Sequence, residues 1–260
     1  MGQKTNPILL QIEKTKNWDS KYVATKTYEH SIYAKKDFEL WNFIFKFLNR
    51  NGFVLKTCWI NYCQKSLHIF VSYYQDRFSF KESLDNKNVF LKNLLETLTR
   101  MTNNKFKVVL IIQKLSNNYF KKVFRNRKVL KKVLVPLKRY KKEIMFWKLV
   151  HYIFICVLHT NSSNLLNYFL ADTIKQFHNH HTFLNTVRRF FFILNKSVNY
   201  RLRGVKIIFK GRINGWPRAR KKILNLINTV SDNELSLSFN EKTSFTKNGT
   251  LGIKIWIKEG

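Results

Sequence analysis

Hydrophobic positions in the first 116 residues switch between helical and strand periods. A helix is predicted over DFELWNFIFKFLNRNG, with Asp37 as its N-cap and Gly52 as its stop. Two strand-like runs follow, FVLKTCWINY and SLHIFVSYY. A second helix, VFLKNLLETLTRM, precedes a strand, KFKVVLIIQ, whose unbroken apolar centre predicts an interior position in a sheet. The predicted order is helix, strand, strand, helix, strand.

The stretch from 165 to 196 has a helical period throughout, so one long helix is predicted there. Its apolar residues at helical spacing are Leu166, Leu170, Ile174, Phe177 and Leu184. After Gly204 the period changes to two, with apolar residues at Val205, Ile207 and Phe209. This change predicts a strand.

Three more elements are predicted before the end of the chain. A short helix is expected around ARKKILNLINTV. Two alternating runs then predict strands, the first with Leu235, Leu237 and Phe239 on one face and the second with Ile253, Ile255 and Ile257. The fold class is therefore α+β, and the C-terminal part is a small antiparallel sheet backed by one long and one short helix.

A basic segment separates these two regions. KKVFRNRKVLKKVLVPLKRYKKEIMFWK, from Lys121 to Lys148, holds twelve Lys or Arg and one acid, Glu143. Its interleaved Val, Leu and Phe suit a segment that orders against RNA or a partner, and a flexible basic loop is the equal alternative. Four parts follow: an N-terminal arm (1–29), a folded domain (30–116), a basic insertion (117–162) and a C-terminal domain (163–260).

The net charge of the chain indicates what kind of partner it binds. The chain carries 48 Lys and Arg against 15 Asp and Glu, a net charge of +33. Self-repulsion of this size disfavours a compact state unless a polyanion neutralises it, and nucleic acid supplies the densest phosphate charge. A membrane partner is not predicted, because the most apolar stretch (145–158) is interrupted by Lys148 and His151 and is too short to span a bilayer. A buried helix is expected there instead.

Metal chemistry finds little support. Cys58 and Cys63 are spaced as for strand packing, and Cys156 stands apart. The HNHH run could place His178 and His181 on one helical face, but no matched cysteine or carboxylate pair accompanies them, so neither a metal nor another cofactor is predicted.

The stretch GRINGWPRAR concentrates turn residues and cations. Gly211 is expected to end a strand, Asn214 and Gly215 to form a turn with positive φ, and Pro217 to begin a helix whose N-terminus attracts anions. Basic residues surround this turn at Arg212, Arg218, Arg220, Lys221 and Lys222. Because guanidinium forks match phosphate oxygens, the stretch predicts a phosphate-binding corner.

Four segments resemble one family when taken in order: MGQKTNP, ADTI, GVKIIFKGRINGWPRARKK and GTLGIKIWIKEG. They are similar to the universal small-subunit ribosomal protein three, the S-three family, whose bacterial and organellar members begin MGQKxNP and carry a GRLxGxxxAR corner and a GVxGVKVWI closing strand. The resemblance is clearest over 163–260 and the first seven residues. The insertion at 117–162 has no counterpart in it.

The resemblance implies a type II KH-like N-terminal domain, a C-terminal α/β domain and a place in the head of the small ribosomal subunit beside the messenger entrance. The implied partners are small-subunit rRNA, mRNA and the neighbouring small-subunit ribosomal proteins ten and fourteen, with no homo-oligomer. The implied rRNA-binding residues are Gln3, Lys4, Asn6, Arg201, Arg203, Lys206, Lys210, Arg212, Asn214, Arg218, Arg220, Lys221 and Lys222. Gly211 and Gly215 are the implied structural turn.

Two departures from the family pattern matter. KH domains hold single-stranded RNA through a GXXG loop, yet no glycine lies between Gly52 and Gly204, and YQDRFSFKES stands at the loop position. The N-terminal domain is thus expected to be a degenerate KH domain without its RNA clamp. On the long helix, alignment of ADTI puts Asn185 and Thr186 where the family has two arginines, which leaves Arg188 and Arg189 as the candidates for the mRNA entry site.

Composition points to an organelle. The chain has 27 Asn and 23 Phe but only four Ala, the bias of an AT-rich coding sequence. Neither a signal peptide nor a transit peptide is predicted, because the first twenty residues have no apolar core and no arginine. We therefore expect a structural protein of a mitochondrial small ribosomal subunit rather than an enzyme. The alternatives are a free-standing RNA-binding regulator and an organelle-encoded maturase or endonuclease, which needs clustered carboxylates for metal.

Overall fold

The computed structural model of the protein contains two compact units. One comprises Asn17–Ser116, and the other combines Met1–Lys16 with Asn117–Gly260. The residues described are 5–12, 16–75, 85–115, 135, 153, 162–177, 179–197, 202–226 and 237–259. Most of the predicted insertion, the KH loop position after Gln75, and the predicted site residues Gln3, Lys4 and Arg201 therefore lie outside the described residues.

The N-terminal unit is a four-stranded mixed sheet with two helices. Its elements in chain order are β1 Ser20–Lys21, α1 Glu29–Arg50, β2 Phe53–Tyr62, β3 Ser66–Gln75, α2 Asp85–Met101 and β4 Lys107–Lys114. The strand order is β1-β2-β3-β4; β2 and β3 are antiparallel, and the two outer pairs are parallel. Both helices contribute to one core against the sheet, with Ile44 and Leu98 fully buried beside Leu67 and Ile69. The order of elements matches the predicted one, with β1 in addition.

The first helix begins eight residues before the predicted N-cap. It starts at Glu29, so Asp37 lies inside it. The Glu29 carboxylate accepts a hydrogen bond from the Thr25 N–H at 2.8 Å, and this bond lowers the pKa of Glu29. Asp37 instead accepts a hydrogen bond from the Ser20 hydroxyl and so ties β1 to the helix. The prediction of Asp37 as N-cap was wrong because an acid before an apolar run also suits a helix interior.

The predicted interior strand is an edge strand among the described strands. β4 pairs only with β3 in this sheet, and its apolar residue Ile111 is 49% exposed. Its one deeply placed residue is Val108, which joins the core below α1 and α2. The apolar run correctly predicted a strand, but the prediction that this strand lies in the interior of the sheet was wrong. The position of a strand in a sheet depends on which other strands it pairs with, and these are distant in the sequence.

The C-terminal unit is a four-stranded antiparallel sheet with helices on one face. Its elements are α3 Ser163–Gln176, α4 His180–Ser197, β5 Leu202–Gly211, β6 Arg220–Leu226, β7 Leu237–Thr246 and β8 Gly249–Glu259. The strand order is β6-β5-β8-β7. The α+β class and the small antiparallel sheet were predicted correctly.

The opposite face of this sheet is covered in part by the N-terminus. A 3-10 turn at Pro7–Leu10 places Ile8 against a small core of Ile208, Leu237, Phe239 and Trp256. The Asn6 side chain begins this turn by accepting a hydrogen bond from the Ile8 N–H at 3.0 Å. The start and the end of the chain therefore fold together.

The predicted long helix is two helices. α3 ends at Gln176, Phe177 is extended and buried, and α4 begins at His180. Asn179 begins the second helix, because its side-chain oxygen accepts a hydrogen bond from the His181 N–H at 3.0 Å. The spacing of apolar residues does not reveal this break, since both helices bury apolar residues against the same sheet.

The predicted short helix at ARKKILNLINTV is strand β6. It pairs with β5 from Gly211↔Arg220 to Val205↔Leu226, and Leu224 and Leu226 are buried at a period of two. Lys and Leu favour helices, but the pairing with β5 overrides that weak preference. Pro217 therefore precedes a strand, and the predicted helix N-terminus at this proline does not exist.

No helix in the described part of the chain is long and apolar enough to cross a membrane. The apolar stretch at 145–158 lies outside that part except for Ile153, which is helical and buried.

A polar seam joins α3 to β7. The Ser244 hydroxyl donates to the Ala171 carbonyl at 2.7 Å, and Asn167 donates to the side-chain oxygen of Asn240 at 2.8 Å. Between them, the Lys242 ammonium lies 3.8 Å from the centre of the Tyr168 ring. Burial, and next the charge of Lys175, lower the pKa of Lys242 to about 8.

We predict that Lys242 makes stability depend on pH. A lysine with a lowered pKa in the folded state binds fewer protons than in the unfolded state, so the free energy of unfolding rises with pH between about 8 and 10.5. The variant Lys242→Met should be more stable than the wild type near neutral pH and should show a flatter rise. Urea unfolding across that pH range measures this. Lys247→Met, in the exposed β7–β8 turn, is the control, and parallel curves for wild type and Lys242→Met would contradict the prediction.

Candidate nucleic-acid interface

The GRINGWPRAR stretch forms a tight connection between β5 and β6. β5 ends at Gly211, a 3-10 turn covers Ile213–Gly215, and β6 begins at Arg220. Asn214 and Gly215 have φ values of 56° and 76°, so the predicted positive-φ turn is present. Five exposed cations stand around this connection, and we call them the basic corner: Lys210, Arg212, Arg218, Arg220 and Lys221.

Like charges face each other across the strands of the basic corner. Lys210 pairs directly with Lys221, and Gly211 pairs with Arg220. Like charges at directly opposed positions destabilise a sheet, and a bound anion removes that cost. No helix N-terminus adds to the positive potential here, so the side chains alone provide it.

Two of the guanidinium groups are held in place. The Arg212 Nε–H donates to the Trp216 carbonyl at 3.0 Å, and its Nη2 donates to the Gly215 carbonyl at 3.4 Å. The Arg220 guanidinium stacks over the Trp216 ring, 3.8 Å from its centre. A guanidinium that is fixed before binding loses less entropy when it pairs with phosphate.

Trp216 was not predicted as a site residue. Its ring is 44% exposed and carries Arg220 on one face. The sequence feature that could have identified it is a tryptophan within a glycine- and arginine-rich turn, where so large a side chain has no hydrophobic core to fill. An exposed aromatic ring beside cations suits contact with a base or a sugar.

Asn214 fastens the corner to α4. Its side-chain oxygen accepts a hydrogen bond from the His180 N–H at 2.6 Å, and its own N–H donates to His180 Nδ1 at 3.0 Å. Its amide nitrogen donates to the Asn179 side chain at 3.0 Å. Burial, then the neighbouring His181, lower the pKa of His180, which favours the neutral ring that accepts this bond. Asn214, predicted to bind rRNA, therefore positions the corner.

The remaining predicted rRNA-binding residues lie in different places, and not all of them belong to the basic corner. Lys206 lies on the same face of β5 as Lys210, with its ammonium 5.1 Å from the centre of the Trp256 ring. Lys222 points to the helix side of β6, where its ammonium lies 3.2 Å from His181 Nδ1. Asn6 begins the N-terminal turn, and of Arg203 only the backbone, in β5, is described.

The two predicted mRNA-entry residues lie on α4. Arg188 and Arg189 are both exposed, as is Asn185 one turn before them. Thr186 is only 3% exposed, and its hydroxyl donates to the Phe183 carbonyl at 2.7 Å. Position 186 thus faces the core, and the exposed cations of this helix face are the two arginines.

Among the described residues, no group of three His, Cys, Asp or Glu side chains could hold a metal ion. His178 lies outside them. Cys58 is buried in β2, where burial, then Asp19 and Asp37, raise the pKa of its thiol to about 12. This setting matches the predicted use of Cys58 in strand packing, and Cys63, just after the strand, is exposed.

The two structural glycines differ in what surrounds them. Gly211 has a φ of +140°, and a Cβ added there would lie 2.4 Å from the Thr250 carbonyl oxygen and 2.9 Å from Leu251 Cδ2. Gly215 has a φ of +76°, and its nearest neighbour would be the Asn248 side chain at 3.5 Å. Gly211 is thus required by close approach and by φ, and Gly215 by φ alone.

We predict that Gly211→Ala destabilises the C-terminal unit more than Gly215→Ala. The second change costs about 1–2 kcal/mol for a side chain at positive φ, whereas the first adds a backbone clash that the β5–β8 pair must open to relieve. Urea unfolding followed by circular dichroism measures both. Gly215→Asn is the matched control, since asparagine tolerates this φ. Equal losses for the two alanine variants would contradict the assignment.

No family model and no curated protein matches this sequence.

Proposed function

We propose that this protein is a structural constituent of a mitochondrial small ribosomal subunit, a divergent member of the S-three family that binds rRNA in the head and lines the mRNA entry site. The observation that carries the proposal is that all four resembling segments belong to one compact unit, the same unit that carries the basic corner. The four segments are far apart in the sequence, so local sequence alone does not bring them together. Their presence in one folded unit supports the proposal that the whole set derives from the S-three family.

Each segment contributes a distinct contact. Asn6 and Pro7 of the N-terminal segment begin the turn that places the next residue, Ile8, against one sheet face. On the other face, the Ala171 carbonyl of ADTI accepts a hydrogen bond from the Ser244 hydroxyl. The closing strand β8 pairs with β5 up to Gly211↔Leu251. At the end of this pair, Gly249 lies against the Arg212 side chain. The closing strand thus supports the corner directly.

The basic corner supplies the chemistry for rRNA. Its cations project from a rigid strand connection, and opposed Lys210 and Lys221 gain stability when a phosphate lies between them. Contacts of this kind fix the orientation of a protein on RNA without reading sequence. A structural role in a folded RNA requires this property.

Arg188 and Arg189 are the proposed contacts to incoming mRNA. They stand exposed on α4, whose first turn is bonded to the corner through Asn214 and His180. In this proposal one helix connects the rRNA contact to the mRNA contact. Small-subunit ribosomal proteins ten and fourteen are the proposed protein neighbours.

The N-terminal unit is proposed to be a degenerate type II KH-like domain. Its order of helix, two strands, helix and strand supports this assignment. No glycine lies between Gly52 and Gly204, so the N-terminal region has no GXXG loop, and a KH clamp needs backbone that approaches phosphate without a Cβ. We therefore expect no RNA binding of the KH kind from this unit.

We predict that replacement of Arg212, Arg218 and Arg220 by Ala weakens binding to small-subunit rRNA and reduces its salt dependence. Each lost phosphate contact should lower the slope of log K against log salt by about 0.7–0.9. Filter binding of head rRNA fragments across a salt series measures the slope. The variant should also be depleted from assembled small subunits.

The matched control removes the same charge elsewhere. Lys46, Arg50 and Arg100 are exposed on α1 and α2, and their replacement by Ala lowers the net charge equally. The control should keep most of the wild-type slope. Equal slopes for the two triple variants would show that net charge, rather than the corner, drives binding.

A further inference from the structure

The sheet of the N-terminal unit has one face without a helix on it among the described elements. Cys58, Ile60, Leu67 and Ile69 point to the core under α1 and α2. Because side chains alternate along a strand, Trp59, His68 and Phe70 point to the opposite face. Ser72 and Tyr74 lie on that side as well and are buried. We therefore call only the part around Trp59, Phe70 and Ile111 the open face.

An aromatic pair crosses the open face. Trp59 and Phe70 are paired across β2 and β3, and their rings stack with centres 5.2 Å apart and planes 22° from parallel. Trp59 is 48% exposed, and Ile111, the β4 partner of Phe70, is 49% exposed. Three adjacent strands thus present one apolar strip, which is a feature of binding surfaces.

Polar and basic residues border this strip. Asn61 pairs with Lys21 on one side and with His68 on the other, and Ser66 pairs with Lys107. The Ser66 hydroxyl and His68 Nε2 are 3.0 Å apart. Strands β2, β3 and β4 contain no Asp or Glu. The open face therefore combines stacking surface, hydrogen-bonding groups and positive charge.

We propose that the open face binds single-stranded RNA, with a base stacked on the Trp59–Phe70 pair and phosphates near Lys21 and Lys107. Stacking on sheet aromatics is tolerant of base identity, since every base has a π-face. Charge complementarity favours RNA over a protein strand or an apolar peptide, because the strip is bordered by cations and the three long strands carry no acid. This surface is separate from the basic corner and does not depend on ribosomal membership.

The test uses the full-length protein and a fluorescein-labelled oligouridine of about eight nucleotides, the range of one single-stranded site. Trp59→Ala should weaken binding about tenfold or more, whereas Trp59→Tyr should bind nearly as well as wild type because it keeps a stacking ring. Fluorescence anisotropy measures the affinity. Binding should also quench tryptophan emission, and both Trp59 variants should show less quenching than the wild type, because only Trp216 at the basic corner remains in contact with the oligonucleotide.

Trp41 provides the matched control. It is 41% exposed and stacked on Phe45 with ring centres 5.3 Å apart, but it lies on α1. Trp41→Ala should therefore leave binding unchanged. Equal affinities for Trp59→Ala, Trp41→Ala and wild type would overturn the proposal, as would Trp59→Tyr binding no better than Trp59→Ala.

The two RNA surfaces can be separated. In the Arg212, Arg218 and Arg220 triple-alanine background, the oligonucleotide should still quench Trp59. Loss of that quenching would overturn the open face as an independent site. Should Trp59→Ala unfold, ultraviolet cross-linking of the wild type decides: cross-links should map to β2 or β3, and cross-links confined to residues 210–222 would contradict the proposal.

Discussion

Strand β5 pairs with β6 on one side and β8 on the other, and the basic corner depends on this double pairing. It places Lys210 opposite Lys221 and brings Thr250 and Leu251, at the start of β8, beside Gly211. The approach is so close that no side chain fits at Gly211. Lys210, Arg220 and Lys221 are therefore positioned by the backbone pairing of β5 with β6, and Arg212 by its bonds within the connection between them.

Electrostatic repulsion between the many cations opposes folding throughout the molecule. The net charge of +33 already counts every acidic residue, so ion pairs such as Lys254 with Glu241 at 2.7 Å do not remove it. The structure instead spreads cations over sheet faces and stacks several on aromatic rings, as with Arg220 on Trp216 and Lys242 on Tyr168. Such an arrangement is stabilised by a polyanion, which is the property that the proposed role in rRNA binding uses.

Local patterns predicted the features that are decided locally. The alternation at Val205, Ile207 and Phe209 and the turn at Asn214 and Gly215 are present as predicted, because period and turn chemistry act over a few residues. Which strands pair with each other was harder to predict from the sequence. The composition of β6 favours a helix, and only its pairing with β5 makes it a strand. For the same reason β4 was placed in the interior of a sheet where it lies at the edge.

The candidate site was predicted in outline and corrected in detail. The arginines of the corner stand exposed as the turn motif indicated, but Asn214 and Lys222 bond to the histidines that begin α4. No spacing rule links residues 180 and 214, so this bond could not be read from the sequence. Trp216 gains its role only through the stack with Arg220.

The central claim is that the protein is held in a small ribosomal subunit by rRNA. The direct measurement is sedimentation of mitochondrial lysate through a sucrose gradient at high salt, with the protein followed by immunodetection. We predict that it stays with the small-subunit peak, because in this proposal contacts to the shape of folded rRNA and to the neighbouring proteins ten and fourteen hold it in addition to the phosphate contacts that salt weakens. Recovery of the protein at the top of the gradient, while other small-subunit proteins remain in the peak, would contradict the account.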